Sequence, residues 1–153
     1  MSGNFPAVAA DPAKRAIMAH DCKMLCDSFD MDGIDIDWEY PGYAPNGGTA
    51  ADIANYPLLL QQIRDSLDVR EQQTGKPMLL TACFGASNSN MSNINWNAVV
   101  PILDMINLMS YDFFGTWDAS TNHNSPLTAP AQGDTTFDLV SAVNRLLTVC
   151  NVP

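Results

Sequence analysis

Between Ile34 and Glu39 the residues alternate strictly, with Asp35, Asp37 and Glu39 on one side of a pleat and Ile34, Ile36 and Trp38 on the other. Same-face residues of a strand step by roughly 6.6 Å, so three carboxyls form one row with nothing basic among them. Carboxyls crowded in a partly enclosed site cannot all ionise freely, and at least one pKa must rise. A carboxyl so raised serves as a general acid near neutral pH. Glu39 is last in the row, nearest the strand end where parallel α/β architectures bind substrate, and the proton is assigned to it. A second stretch, Met105 to Tyr111, alternates Ile106 and Leu108 with Asn107, Met109 and Tyr111, again a strand with one face suited to function.

The acidic pairs have a competing reading as a metal site. Asp35-x-Asp37 matches metal-dependent glycosyltransferases, and Asp30-x-Asp32-Gly33 matches the opening of a calcium loop. The calcium reading fails because an apolar-alternating strand follows where further oxygen ligands should come. The transferase reading lacks a nucleotide-binding signature. No metal and no cofactor is therefore assigned.

Around the row, Asp11 and Pro12 mark a helix start, with Ile17, Met18, Leu25 and Phe29 as its apolar positions. Tyr40 to Thr49, rich in Pro and Gly, is a loop. A helix from about Asn55 carries Tyr56, Leu59, Leu60, Ile63 and Leu67 on one stripe and stops before Gly75 and Pro77. Met78 to Phe84 reads as a strand buried on both faces. Ser87 to Asn97 reads as a loop, and Ala98 to Leu103 as a short helix broken by Pro101. Phe113 to about Thr135 is a long loop, of a length usually tied to function or mobility. A last helix runs from about Thr136 to near Asn151, with Phe137, Val140, Val143 and Leu147 on its stripe. Trp38, Met18, Met24 and Met105 are assigned to the core, Phe113 and Phe114 to loop packing, and His20 and His123 to surface or loop. Trp117 is divided between loop packing and a stacking face for sugar rings. The order of elements predicts parallel strands joined by crossovers.

With 153 residues the chain makes one domain or a piece of one. Seven Lys and Arg against 17 Asp and Glu give a net charge of -10, which repels phosphate backbones and anionic lipid; nucleic acid and membrane surfaces are excluded as partners. No apolar run approaches the roughly 18 residues of a membrane helix, and the first residues lack the pattern of a secretory signal. Cys22, Cys26, Cys83 and Cys150 show no C-x-x-C spacing and read as buried free thiols, with one disulfide as the alternative and zinc disfavoured. The Asn90-Met91-Ser92 sequon says little about compartment.

Asp32-Gly33-Ile34-Asp35-Ile36-Asp37-Trp38-Glu39-Tyr40-Pro41-Gly42 strongly resembles the signature strand of the family 18 glycoside hydrolases, the chitinases. Asp32, Asp35, Asp37 and Glu39 fill all four positions of that family's D-x-x-D-x-D-x-E. Met109-Ser110-Tyr111-Asp112 resembles its M-x-Y-D at the end of the sixth strand, and Trp117-Asp118 with His123 to Leu127 resembles the loop that follows. The resemblance implies an α/β fold, a partial TIM (β/α)8 barrel. The chain would run approximately from the helix before strand 4 through the helix after strand 6, as an incomplete catalytic domain.

It further implies hydrolysis of chitin or chitooligosaccharides by a retaining, substrate-assisted mechanism. In that scheme Glu39 protonates the glycosidic oxygen while the substrate's N-acetyl oxygen attacks the anomeric carbon. Asp37 orients the acetamido N–H, Asp35 holds the proton or charge that lets Asp37 turn, Tyr111 donates to the acetamido oxygen, and Asp112 binds the distorted sugar. Met109, Trp117 and Tyr40 contact substrate, and Asp32 and Gly33 are structural or supporting. The family implies an extracellular location, and the missing barrel segments of the same protein as partners. A chitin-binding lectin of the same fold and an endo-β-N-acetylglucosaminidase acting on N-glycans are the alternatives. Glu39, the acid such lectins usually lack, favours an enzyme, and Tyr40-Pro41-Gly42 fits chitinases better.

Three parallel strands cannot close a barrel and leave two unpaired edges. The isolated 153-residue chain is therefore expected to fold weakly or to associate through those edges. Sedimentation and thermal melting check this; a cooperative monomeric melt with chitinase turnover refutes it.

Overall fold

The computed structural model describes residues 2–153. Its centre is a three-stranded parallel sheet of β1 (Gly33–Asp37), β2 (Leu79–Gly85) and β3 (Met105–Met109), with β2 in the middle. Asp35 lies beside Thr81 and Asp37 beside Cys83, while Cys83 in turn lies beside Asn107 and Gly85 beside Met109. Partners in a parallel register point to the same face. The polar positions of all three strands therefore share one side of the sheet, and Ile36, Leu80, Ala82 and Phe84 are buried in the hydrophobic core.

Among the described residues six α-helices accompany the sheet: α1 (Phe5–Ala10), α2 (Pro12–Phe29), α3 (Asp52–Thr74), α4 (Asn88–Ser92), α5 (Trp96–Val99) and α6 (Leu139–Thr148). Asp11 caps α2 as its sequence position predicts, accepting from the Ala13 N–H at 2.9 Å. The helix α1 has no counterpart in the sequence reading. Its Phe5 stacks on Trp38 with ring centroids 5.4 Å apart, and Tyr56 of α3 meets Trp38 edge-on at 5.1 Å. Trp38 is thus enclosed core, as predicted from its place opposite the carboxylates.

The stripe read on α3 is the buried one: Tyr56, Leu59, Leu60, Ile63 and Leu67 are all enclosed, and Gly75 ends the helix in a left-handed conformation at φ 70°. The helix begins at Asp52, earlier than expected. The buried Asp52 carboxylate accepts from the Gly42 N–H at 2.9 Å and the Thr49 N–H at 3.0 Å, pinning both ends of the loop that follows the carboxylate row.

Several expectations are corrected. On α2 the buried positions are Ala19, Cys22 and Cys26, whereas Ile17, Leu25 and Phe29 are exposed, Ile17 by 61%. The small side chains form the face that packs inward; the larger apolar ones point outward. Met24 and Met105 are likewise exposed, the latter at the start of the edge strand β3, while Met18 packs against the core. On α6, Ala142 and Leu146 are buried and Val140, Val143 and Leu147 are exposed. The helix starts late because Asp138 caps it, accepting from the Ser141 N–H at 2.8 Å. The Ser87–Asn97 segment, expected as a loop, contains α4 and the start of α5; Ser87 caps α4 by accepting from the Asn90 N–H at 3.1 Å. Pro101 then sits in a single 3-10 turn, Val100–Ile102. Between β3 and α6 no helix or strand forms, as expected of that stretch. All four cysteines are free; Cys22 and Cys26 are buried, and Cys83 and Cys150 are only partly so. No helix of the described residues is long and apolar enough to cross a membrane.

The ends of the strands away from Glu39 are held by charged groups. Buried Arg70 donates to Asp27 at 2.9 Å and to the Cys26 carbonyl at 3.0 Å, joining α3 to α2. Arg64 donates to the Met78 carbonyl at 2.8 Å and to Asp104 at 3.1 Å, and the Asp104 carboxylate also accepts from the Leu80 N–H. Removing one partner of such a network leaves a buried charge uncompensated.

Gly33 marks the closest backbone approach in the sheet, since a Cβ built there would lie 2.1 Å from the Leu79 carbonyl oxygen. Gly33→Ala is expected to destabilise by about 1–3 kcal/mol through this overpacking. Gly3→Ala, at a position with nothing within 4 Å, serves as the neutral control. Urea midpoints of the two variants check the difference, and equal midpoints would contradict it.

Candidate active site

The carboxylate row and the end of β3, more than seventy positions apart in sequence, meet around one cavity of about 240 Å³. Asp37, Glu39 and Tyr40 line it from the first side, and Met109, Tyr111 and Asp112 from the second. These are six of the residues singled out from sequence. Asp35, one pleat step back along β1, does not line the cavity and is itself exposed. Asp32 and Gly33 sit at the far end of β1, where the Asp32 carbonyl accepts from the Leu79 N–H at 2.9 Å and sets the register with β2. Trp117 does not line the cavity; its ring lies over Gly115, two thirds exposed.

Backbone contacts fix Glu39 from two directions. Its N–H donates to Ser2 Oγ at 3.0 Å, and its carbonyl accepts from Asn46 Nδ2 at 2.8 Å. The Glu39–Tyr40 peptide bond is cis. Across the cavity, Asp112 adopts a left-handed conformation at φ 54°, a region that Asp tolerates better than most residues. Its carboxylate accepts from Asn124 Nδ2 at 2.7 Å, and the Asn124 carbonyl accepts from the Phe113 N–H at 2.9 Å. One residue of the long loop thereby fastens both Asp112 and the turn beyond it.

Below the cavity, Asp35 accepts hydrogen bonds from Thr81 Oγ1, from Cys83 Sγ at 3.1 Å and from Asn107 Nδ2 at 3.0 Å. The sequence reading missed Thr81 and Cys83, because a buried strand looks uniformly apolar until its register is known. Asn107 was visible only as one member of an alternating face. Asn124 was visible only within the His123 to Leu127 stretch and Asp52 carried no signal: each acts through a loop whose closure brings distant positions together.

The crowding of the row has the electrostatic effect expected, and it falls on Asp37. Burial raises the Asp37 pKa first, and the neighbouring Glu39 and Asp35 carboxylates raise it further. Burial, with the Glu39 and Asp37 carboxylates, also pushes the phenols of Tyr40 and Tyr111 upward, so both stay protonated donors over the physiological range. Cys83 is pushed up to about 12 by burial and by its bond to Asp35, and remains a thiol.

A carboxyl whose folded pKa lies above its unfolded value binds its proton more tightly in the folded state, so stability falls as pH rises between the two values. Asp37→Asn removes this penalty. Its stability relative to the parent is expected to increase from pH 3 to pH 7, measured by paired melts, and a difference independent of pH would contradict the raised carboxyl.

The family described as "Glycosyl hydrolases family 18" matches residues 1–151. Chitinase A1 of Niallia circulans is 40% identical over 129 residues, covering 82% of this chain and 18% of that protein. Endochitinase 1 of Metarhizium robertsii is 37% identical over 147 residues, covering 94% of this chain and 33% of that one. Among solved structures, Chitinase ChiA74 from Bacillus thuringiensis superposes with a TM-score of 0.92 at 35% identity, covering 99% of this chain and 25% of the other. The chain thus spans a third or less of the length of these relatives, and its three-stranded sheet with flanking helices is part of a TIM barrel. On the match across 151 residues and on these likenesses, the chain belongs to family 18 of the glycosyl hydrolases.

Proposed function

We propose that the protein carrying this chain hydrolyses β-1,4-linked N-acetylglucosamine polymers, with Glu39 as the acid and then the base of a retaining, substrate-assisted reaction. The observation that carries this reading is the convergence of Asp37 and Glu39 with Tyr111 and Asp112 on one cavity. A carboxyl and a phenol facing each other across a sugar-sized opening supply the two things the reaction requires: a proton for the leaving oxygen and a donor for the acetamido oxygen.

In this mechanism Glu39 gives its proton to the glycosidic oxygen. The acetamido oxygen closes on the anomeric carbon, forming an oxazolinium ion as the leaving sugar departs. Asp37, whose raised pKa keeps a proton within reach, accepts from the acetamido N–H as positive charge builds on that group. Tyr111 hydrogen-bonds to the acetamido oxygen, and Asp112, held by Asn124, binds the distorted ring. Glu39 then deprotonates the water that opens the oxazolinium from its original side, retaining the anomeric configuration. Met109 and Tyr40 form the walls of the subsite, and Trp117 offers a ring to a sugar further along the chain. The chitinase names of the relatives support chitin or a chitooligosaccharide as substrate, which for an insoluble polymer implies action outside the cell. A lectin function is disfavoured by the acid itself, since Glu39 lines the cavity.

The test is a chimera in which this chain replaces the matching quarter of ChiA74, assayed on chitotetraose and on a high-mannose glycopeptide. Turnover of chitotetraose alone supports the proposal, and turnover of the glycopeptide alone favours the N-glycan hydrolase. Glu39→Gln is expected to lower kcat by roughly 10²–10⁴-fold with substrate binding retained; unchanged turnover removes Glu39 from the role. Tyr111→Phe is expected to cost roughly 10²–10³-fold in kcat, the scale of one lost transition-state donor.

A further inference from the structure

Asp35 is the one member of the carboxylate row that does not reach the cavity, yet it collects more side-chain hydrogen bonds than the other two. Thr81 Oγ1 and Asn107 Nδ2 converge on its Oδ1, and Cys83 Sγ lies 3.1 Å from its Oδ2. The three donors come from two strands, and the register explains how they reach one carboxyl. Thr81 is level with Asp35, whereas Cys83 and Asn107 sit one pleat step higher, level with Asp37 and beside each other. Asp35 is thus overhung by two donors and flanked by a third. All three are neutral, and among the described residues no Lys or Arg ion pair involves Asp35, Asp37 or Glu39.

We propose that Thr81, Cys83 and Asn107 form a neutral donor cradle that keeps Asp35 an acceptor-only carboxylate, so that the row's mobile proton belongs to Asp37 and Glu39, and that Cys83 is thereby a positioning residue of the reaction. This deepens the hydrolase reading and rests on it. Both oxygens of Asp35 accept, which is the arrangement of an anion. A neutral cradle fixes that anion without neutralising it, as a guanidinium would. The charge therefore still acts on Asp37, and Asp35 becomes a fixed negative pole against which Asp37 retains its proton. The thiol suits this place because it stays protonated in the field of the row. The other titratable groups that interact with the Cys83 thiol are Asp37 on the same strand as Asp35, Tyr111 beyond β3 and Tyr56 from α3.

The experiment uses the ChiA74 chimera with Cys83→Ala, which removes a donor, Cys83→Ser, which keeps one, and Asn107→Leu. For Cys83→Ala the acid limb of the kcat/KM profile is expected to move to higher pH by about half to one unit, the equivalent of one hydrogen bond to a charged form, with KM little changed. Cys83→Ser is expected to return the limb toward its original position, and Asn107→Leu to move it in the same direction as Cys83→Ala. An unmoved limb in Cys83→Ala, or an equal movement in the Ser and Ala variants, overturns the cradle.

A second measurement needs no turnover. A donor to a carboxylate contributes stability above the carboxyl range and loses it as pH falls. The drop in Tm of Cys83→Ala relative to Cys83→Ser is expected to be larger at pH 7 than at pH 3, and a drop equal at both assigns Cys83 to packing alone. Hydrolysis by Glu39→Gln would defeat the hydrolase assignment, whereas an inactive Glu39→Gln beside an unshifted Cys83→Ala would defeat only the cradle.

Discussion

Three carboxyls at alternating positions, two on β1 and Glu39 just past its end, repel one another when ionised, and most of what surrounds them answers that repulsion. The pleat sets their spacing and leaves no alternative to proximity. Asp35 is met by neutral donors from β2 and β3, Asp37 by a raised affinity for its proton, and Glu39 by a place in the cavity lining with its backbone fastened on both sides. The difference in surroundings among the three carboxyls follows from position along the chain, Asp35 beside its donors and Glu39 lining the cavity. A helix could not produce it, because every second residue of a helix points to a different face.

The sheet divides labour between its two ends. At the ends away from the cavity, Arg64 and Arg70 use their guanidinium groups to lock helices, strand starts and carbonyls together. At the cavity end the polar groups are mainly carboxyls, phenols, amides and hydroxyls, with little cationic charge to neutralise the acids. A guanidinium placed among Asp37 and Glu39 would hold both as anions and remove the proton that an acid catalyst must give away. The separation of stability from chemistry is the pattern expected where active sites occupy the C-terminal face of parallel strands.

How much could be read in the sequence depended on how local each signal was. The alternation from Ile34 to Glu39, the cap at Asp11 with Pro12, and the stripe on α3 are statements about residues a few positions apart, and the structure contains all of them. On α2 and α6 the apolar positions identify a helix but not which side faces inward; the small residues Ala19, Cys22 and Ala142 form the packed face. The helix α4 was hidden because its Asn and Ser residues favour loops, and Ser87 starts it by capping. In the site, Tyr111 and Asp112 could be paired with the row through motif order, whereas Thr81 and Cys83 needed the register of β2 to become visible.

Gly85 continues the cavity-facing row of β2 beyond Thr81 and Cys83, beside Met109, and it contributes no side chain. A Cβ there would stand 2.4 Å from Asn90 Nδ2 and 2.7 Å from the Tyr40 ring. The cavity between Glu39 and Tyr111 is therefore shaped by an omission: a single absent carbon lets the Tyr40 ring and Asn90 approach the middle strand. The shape of the opening is subtractive, decided by what the chain leaves out, and even one added methyl group would contend with the tyrosine for the same space.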